Sequence, residues 1–108
     1  MEGTVITMPA VALRGLTVFP AMMIHFDINR KRSVAAVEKA MVSDQKVFLV
    51  TQRQPEVVEP GLPDLYQVGT IALVKQMVKL PGGNIRVMVE GLKRAELLDL
   101  EGEDPMLM

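Results

Sequence analysis

The chain has 108 residues, which suits one small domain, and its 49% hydrophobic and 23% charged residues are typical of a folded protein rather than a disordered one. A formal net charge of −1 gives no general electrostatic reason to expect nucleic acid or an anionic membrane as a partner. Cysteine is absent, which excludes disulfides and thiolate metal sites, and no apolar run approaches the roughly 20 residues needed to cross a bilayer. The first residues lack a secretion signal, so the expected location is the cytoplasm.

The N-terminal half is expected to form two strands and a helix. Loose alternation predicts a first strand over residues 5–13, which Pro9 confines to a sheet edge or a bulge. Residues 22–28 predict a second strand, with one face formed by Met22, Ile24, Phe26 and Ile28 and the other by Met23, His25 and Asp27. Ser33 is the expected N-cap of a helix that ends near residues 43–44, after a basic loop over residues 29–32.

The middle of the chain predicts one buried strand and a long surface loop. Residues 46–52 contain a continuous apolar run, VFLV, which indicates a strand covered on both faces. Residues 55–64 contain three prolines and three acids and are expected to form a loop. A helical turn over residues 64–66 is expected to follow it.

Residues 68–100 predict a long β-hairpin followed by a third strand. The turn is expected at Pro81-Gly82-Gly83-Asn84, because glycine reaches the positive φ values of tight hairpin turns. A two-residue turn at Gly82-Gly83 sets the pairs. The core-facing pairs are then Leu80 with Ile85, Val78 with Val87, Gln76 with Val89 and Val74 with Gly91. The solvent-facing pairs are Lys79 with Arg86, Met77 with Met88, Lys75 with Glu90 and Leu73 with Leu92.

These elements together predict a mainly β (α+β) fold. Five or six short strands joined by Pro/Gly turns favour a small, bent, mostly antiparallel barrel or sheet, and the single helix is expected to close one end of it.

Four short motifs occur in an order that characterises a known family. They are LRGLTVFP at residues 13–20, RSVAAVE at 32–38, DLYQVGT at 64–70 and VEGLKRA at 89–95. On these motifs the chain resembles the N-terminal substrate-recognition domain of the ATP-dependent protease Lon, a PUA-like domain, over about residues 8–100. The resemblance implies a PUA-like domain at residues 1–100. Residues 101–108 are expected to be the start of a linker, in a chain truncated before its next element.

The resemblance also implies a larger protein. Members of this family stand at the front of a hexameric, ATP-dependent serine protease, where they capture unfolded or degron-bearing proteins for degradation. The implied partners are protein substrates, the rest of the protease chain and sister subunits, with neither nucleic acid nor membrane expected for this domain. ATP and Mg²⁺ are implied for the parent protein, and no cofactor for this chain.

The chain itself is not expected to be an enzyme. It has no G-x-x-x-x-G-K-[ST] loop to hold nucleotide phosphates, and Ser33 and Ser43 are its only serines. His25 is its only histidine, which excludes a histidine-rich metal site. No catalytic, cofactor-binding or metal-binding residue is therefore expected.

Methionine is the most unusual component, with nine residues of this type. Most are expected to fill gaps in a core that has few aromatic side chains. The predicted hairpin register, however, places Met77 beside Met88 on a solvent-facing ribbon, where flexible thioethers suit a surface that binds many apolar sequences. The substrate-contact candidates are Met77, Met88, Leu73 and Leu92, followed by Met22, Met23 and the basic segment Arg30-Lys31-Arg32.

Two other functions remain open at this point. PUA-like barrels also serve as RNA-binding domains, although the near-neutral charge and the scarcity of aromatic residues, three Phe and one Tyr, argue against that function here. The fold also suits a stand-alone adaptor that holds a protein or a small ligand. A nucleotide-binding loop encoded downstream would favour the protease, and a salt-dependent response to RNA would favour the RNA-binding domain.

Overall fold

A computed structural model describes residues 6, 8–54, 56, 65–97 and 106–107. Within them, one α-helix, α1 (Lys31–Met41), accompanies a six-stranded sheet. The strands are β1 (Met8–Leu13), β2 (Met23–Ile28), β3 (Lys46–Thr51), β4 (Val68–Lys79), β5 (Ile85–Glu96) and β6 (Met106–Leu107). Their order is β2-β5-β4-β3-β1-β6, and every pair is antiparallel except β1 with β3. The predicted mainly β, mostly antiparallel fold with one helix is confirmed.

Strand β3 lies between the two cores of the domain. The main core joins α1 to the sheet and consists of Val11, Leu13, Val18, Ile28, Ala36, Val37, Ala40, Val47, Leu49, Ala72, Val74, Ile85, Val87 and Val89. A smaller cluster on the other side consists of Phe48, Val50, Leu65, Ile71 and Leu97. Because successive strand residues point to opposite faces, β3 contributes Val47 and Leu49 to the main core and Phe48 and Val50 to the smaller one. The prediction that this strand is covered on both faces is confirmed.

Helix α1 begins earlier than predicted, and Ser33 is not its N-cap. The N-cap is Arg30, which makes no side-chain capping bond, and its carbonyl accepts the first helical hydrogen bond from Val34 at 2.9 Å. Ser33 is buried inside the helix. The Arg30 guanidinium donates to the carbonyl oxygen of Ala12 at 2.6 Å. This tertiary contact positions the start of the helix without the hydroxyl cap that the sequence suggested.

The β4–β5 hairpin is confirmed, but its loop has three residues rather than two. Pro81–Gly83 form a short 3-10 turn with φ of 86° at Gly82 and 89° at Gly83. It is closed by a 2.8 Å hydrogen bond from the amide of Leu80 to the carbonyl of Asn84. The additional loop residue shifts β4 by one position against β5, which exchanges the two faces of β4 near the turn. The resulting pairs are Lys79 with Ile85, Val78 with Arg86, Met77 with Val87 and Gln76 with Met88.

A bulge at Lys75 restores the inward orientation of the next part of β4. The register shifts between Val74 and Gln76, so that Val74 pairs with Val89 and both are fully buried. Val74, Ile85, Val87, Val89 and Gly91 are buried as predicted. The burial predicted for Val78, Gln76 and Leu80 is wrong, since the first two are exposed and the third is half-buried.

A second bulge, at Leu92, explains the predicted third strand. Ala72 pairs with Gly91 and Ile71 with Lys93, which leaves Leu92 without an opposite residue. The backbone continues past this bulge as the second half of β5. The segment that the sequence suggested as a separate strand is therefore the continuation of the hairpin.

Several predicted segments lie wholly or partly outside the described residues. These are residues 1–5 and 7, the proline-rich loop over 55–64 except Glu56, and the tail over 98–105 and 108. The described residues of the helical turn predicted at 64–66 make strand-like contacts instead. Leu65 forms an antiparallel bridge with Gln52, and the amide of Tyr66 donates to the carbonyl of Thr51 at 3.0 Å. In the described part of the chain, no helix has the length and apolar character required to cross a membrane.

Candidate functional site

The outer face of the β2–β5–β4 ribbon carries several of the predicted contact residues. Met23 pairs with Glu90 and Glu90 with Leu73, so the three side chains point to the same side of the sheet. Met88 follows the same alternation on β5. The apolar members of this outer face are Met23, Leu73, Val78 and Met88. They lie among the polar side chains of His25, Asp27, Gln76, Arg86 and Glu90.

Met77 and Met22 do not belong to this outer face. Met77 pairs with Val87 and packs against the main core, and Met22 packs there too. The predicted pairing of Met77 with Met88 is therefore wrong, for the reason that the three-residue loop displaces β4 by one position. Leu92 is 41% exposed at its bulge and does not pair with Leu73.

Exposure differs among the remaining apolar residues. Met23 is the most accessible at 59%, Val78 is 41% exposed, and Leu73 and Met88 are half-buried. The structure thus brings together Met23, Leu73 and Met88 out of the predicted set, with Val78 as a member that the predicted register placed in the core.

Ion pairs border these apolar side chains. Arg86 makes a bidentate contact with Asp27, at 2.9 Å from Nε and 3.3 Å from Nη2. The hydrogen bond from Arg86 lowers the pKa of Asp27, and the same bond raises the pKa of Arg86. The Nζ atom of Lys75 lies 3.6 Å from an oxygen of Glu90. The predicted cross-strand pairing of these two residues is wrong, because Glu90 pairs with Leu73 and Lys75 lies at the bulge, but their side chains still form an ion pair. The like-charge pair predicted for Lys79 and Arg86 is wrong, since Arg86 instead faces Val78 and Asp27.

A groove of about 480 Å³ lies elsewhere on the domain, where the segment before β2 crosses the start of β4. It is lined by Thr17, Val18, Phe19, Leu49, Thr51, Arg53, Tyr66, Gln67, Val68, Gly69, Thr70 and Arg94. None of these residues is acidic.

Two arginine–aromatic pairs form the walls of this groove. The guanidinium carbon of Arg53 is 4.9 Å from the centre of the Tyr66 ring, and that of Arg94 is 5.5 Å from the centre of the Phe19 ring. Both distances are within the range of cation–π attraction. Tyr66 and Phe19 are 46% and 47% exposed as residues, so each retains surface that a ligand can cover.

Threonine hydroxyls and one glycine hold the groove together. Thr70 Oγ1 donates to the carbonyl of Val18 at 2.6 Å, and Thr51 Oγ1 donates to that of Leu16 at 2.8 Å. A Cβ atom on Gly69 would lie 2.5 Å from the carbonyl oxygen of Leu49, so only glycine permits this approach of β4 to β3. The two hydroxyl contacts fix the segment before β2 against the sheet, and Gly69 allows β4 to lie close to β3 where both line the groove.

No spacing pattern in the sequence indicates this groove. Its walls combine residues from distant parts of the chain, which the pairing of Thr70 with Arg94 and the bridge between Gln52 and Leu65 bring together. The nearest signal is aromatic: the chain has only four aromatic residues, and two of them, Phe19 and Tyr66, are exposed in this groove.

The basic segment Arg30-Lys31-Arg32 is part of the fold rather than a loop. Arg30 is half-buried against Ala12, and burial, followed by the charge of Arg14, lowers its pKa. Lys31 is exposed and Arg32 is half-buried in the first turn of α1. A smaller cavity of about 200 Å³ lies beside this segment. Among the described residues, no group of three or more His, Cys, Asp or Glu side chains is placed to hold a metal ion.

Comparison with known proteins identifies closely related sequences. Residues 7–108 match the family model described as the ATP-dependent protease La (LON) substrate-binding domain. Lon protease from Desulforamulus reducens is 49% identical over 105 residues, which are 97% of this chain and 13% of the relative. Lon protease from Lachnoclostridium phytofermentans is 55% identical over 100 residues, which are 93% of this chain and 12% of the relative. The chain therefore spans about one eighth of the length of the curated relatives it matches.

Two solved structures share the fold. The N-terminal domain of a Mycobacterium avium complex Lon protease superimposes with a TM-score of 0.72 at 18% identity, covering 94% of this chain and 52% of that one. A Lon N-terminal domain protein from Xanthomonas campestris gives 0.69 at 13% identity, covering 95% and 56%. At these identities the likeness concerns the fold, whereas the family model and the relatives concern the sequence. The chain belongs to the Lon substrate-binding domain family.

Proposed function

We propose that this domain engages unfolded or degron-bearing polypeptides for degradation by a Lon-type, ATP-dependent serine protease. The observation that carries the proposal is the outer face, where Met23, Leu73, Val78 and Met88 form a partly exposed apolar surface on a family member described as substrate-binding. Flexible methionine side chains adapt to many sequences, which suits a surface that must accept unrelated substrates.

The ion pairs around this surface support the same function. Asp27 with Arg86 and Lys75 with Glu90 neutralise the charges that border the apolar side chains. An arriving apolar segment then covers methionine without leaving an unpaired charge beneath it. Binding at such a surface is weak and reversible, because the exposed area is small and has no fixed shape.

The remaining activities are proposed for a longer protein. Its ATPase, which would use ATP and Mg²⁺, and its serine protease site would lie outside the segment that corresponds to 13% of the relatives. The partners of the domain would be its substrates, the rest of that chain and the other subunits of a hexamer in the cytoplasm. The net charge of −1 favours protein over nucleic acid as the bound macromolecule.

The experiment that tests the proposal removes the two methionines of the outer face. A Met23→Ser/Met88→Ser variant of the 108-residue chain is titrated with a reduced, alkylated and permanently unfolded protein. We expect an affinity about tenfold or more below that of the parent, because each covered Å² of apolar surface contributes about 25 cal/mol. Fluorescence anisotropy measures the binding, and an unchanged melting temperature shows that the fold is intact.

A Val42→Ser variant is the control. Val42 is 86% exposed and apolar but lies at the end of α1 rather than on the outer face. It should bind the unfolded protein as the parent does. Equal affinities for the parent and the methionine variant would refute the assignment of this surface.

A further inference from the structure

We propose that the groove between the Phe19 and Tyr66 rings binds acidic segments of polypeptide. This inference rests on the proposed function in that the bound partner is an extended protein chain. It adds a second contact surface, separate from the outer face, and a preference for carboxylate side chains. Within the described residues, Met23, Leu73, Val78 and Met88 of the outer face do not line this groove.

Charge is the first observation that points to an acidic partner. Arg53 and Arg94 contribute two guanidinium groups to the groove, and none of the described residues that line it is acidic. In the described part of the chain, the ion pairs are Lys75 with Glu90 and Asp27 with Arg86, so neither groove arginine is neutralised by one of these carboxylates. Two positive charges in one groove attract a ligand that supplies the missing negative charge.

The arginines are also oriented for carboxylate binding. Each guanidinium lies over an aromatic ring, which restricts the side chain while leaving N–H groups at the edge of the guanidinium plane. Arg53 uses its Nε atom to donate to the carbonyl of Leu65 at 3.1 Å, which fixes it further. A carboxylate accepts two parallel hydrogen bonds from such an edge. Because the arginines are held before the ligand arrives, less side-chain entropy is lost on binding.

The remaining lining suits a peptide rather than an isolated anion. Val68 is 54% exposed and supplies apolar surface next to the arginines, whereas Val18 and Leu49 are buried beneath the groove. A volume of about 480 Å³ is in the range of ordinary ligand sites and accepts a few side chains. The matching partner is an extended segment in which acidic residues alternate with apolar ones.

A carboxylate-bearing chain fits this groove better than a phosphate backbone. Glu96 is exposed and pairs with Val68, which places a negative charge at the margin of the groove. The net charge of the chain is also −1. Both features repel any anionic ligand, and the repulsion grows with the charge of the ligand. A nucleic acid carries a charge at every nucleotide, whereas a peptide carries fewer charges and can place them opposite the two arginines.

The test compares two peptides on matched variants of the 108-residue chain. One fluorescent peptide alternates Glu with Leu, the other alternates Gln with Leu, and both have amidated C-termini so that only side-chain carboxylates differ. We expect the parent to prefer the Glu peptide. An Arg53→Gln/Arg94→Gln variant should bind that peptide about tenfold or more weakly and lose the preference, because two charge-assisted contacts are removed.

An Arg14→Gln/Lys31→Gln variant controls for net charge. It removes the same number of positive charges from exposed residues outside the groove, and it should retain the preference for the Glu peptide. An Arg94→Lys variant keeps the charge but loses the planar edge, so we expect it to bind with an intermediate affinity. Unchanged melting temperatures ensure that each comparison reports on binding.

Three results would overturn the inference. They are equal binding of the two peptides by the parent, an equal loss in the control variant, and tighter binding of single-stranded oligouridine than of the Glu peptide at the same arginines. The outer-face variant, Met23→Ser/Met88→Ser, separates this inference from the proposed function. If the groove is assigned correctly, that variant keeps the parent's ratio of Glu to Gln peptide affinities. We expect this whether its affinity for unfolded protein falls, as the proposed function requires, or stays unchanged, which would refute the outer face alone.

Discussion

Val78 and Val87 are identical in chemistry and lie on adjacent strands, yet Val78 is 41% exposed and Val87 is fully buried. Alternation along each strand predicts correctly which residues of β5 face the core. It does not predict how β4 aligns with β5, because that depends on the loop length. A two-residue turn places Val78 opposite Val87, and the observed three-residue turn places it opposite Arg86.

This contrast predicts very different effects of one substitution. Val87→Asp buries a carboxylate without a partner, at a cost of several kcal/mol, which is a large share of the roughly 5–15 kcal/mol that stabilises a small domain. Val78→Asp adds an acid to the outer face beside Arg86 and should change the free energy of unfolding by less than about 1 kcal/mol. Urea denaturation of both variants measures the difference. Similar losses in the two would contradict the observed register.

At the scale of elements, the Asp27–Arg86 pair connects β2 to β5. The two residues lie 59 positions apart, and their side chains reinforce the backbone pairing of the strands. The register inferred from the sequence placed Arg86 against Lys79, in which case Arg86→Asp would relieve a repulsion. With Asp27 as the actual partner, the same change sets two carboxylates side by side and should lower stability.

The pair also predicts a pH dependence. The hydrogen bond from Arg86 lowers the folded pKa of Asp27 below its usual 3.8, so the ionised carboxyl is favoured in the folded state. Its contribution is complete above 3.8 and is lost as pH falls through the lower folded pKa. Arg86→Gln should therefore lower the denaturation midpoint at neutral pH, and this difference should shrink towards zero in acid.

The control for this measurement is Lys79→Gln on the same hairpin. In the described part of the chain Lys79 takes part in neither ion pair, so its removal should give no such pH-dependent difference. The contradicting result is a stability difference between Arg86→Gln and the parent that stays constant from neutral pH to below the folded pKa of Asp27. That result would mean that the ionised Asp27 carboxyl does not stabilise the fold through Arg86.

At the scale of the whole molecule, the two ends of the fold are connected by a side chain. Strand β2 lies at one end of the sheet order and β1 near the other. Arg30 lies two residues after the end of β2, and its guanidinium donates to the carbonyl of Ala12 on β1 at 2.6 Å. This contact bridges two strands that share no backbone ladder.

Removing that bridge should loosen the domain as a unit. Arg30→Met keeps an apolar stem but loses the charged donor, and a hydrogen bond to a charged group is worth about 1.5–3 kcal/mol. We expect a loss of that size in the free energy of unfolding, measured by urea denaturation. Lys31→Met, at the exposed neighbouring position, should change it little. Equal stability of the Arg30 variant and the parent would show that the contact does not hold β1 to the rest of the fold.

The sequence predicted the family and most elements because both depend on local patterns. Motifs such as VEGLKRA and the alternation of β2 are readable within a few residues. The groove was not predictable in this way, since Phe19, Arg53, Tyr66 and Arg94 meet only after distant strands have paired. The outer face was half predictable: Met88 and Leu73 follow from alternation, whereas the exclusion of Met77 depends on the loop length.

The strand order has a consequence for synthesis on the ribosome. β5 lies between β2 and β4 in the sheet, although it follows both of them in the chain. While the nascent chain is shorter than about its first 85 residues, β2 therefore has no strand to pair with, and its residues await a partner that has not been translated. Emergence of β5 supplies the missing neighbour to both strands at once, so the β2–β5–β4 part of the sheet forms late.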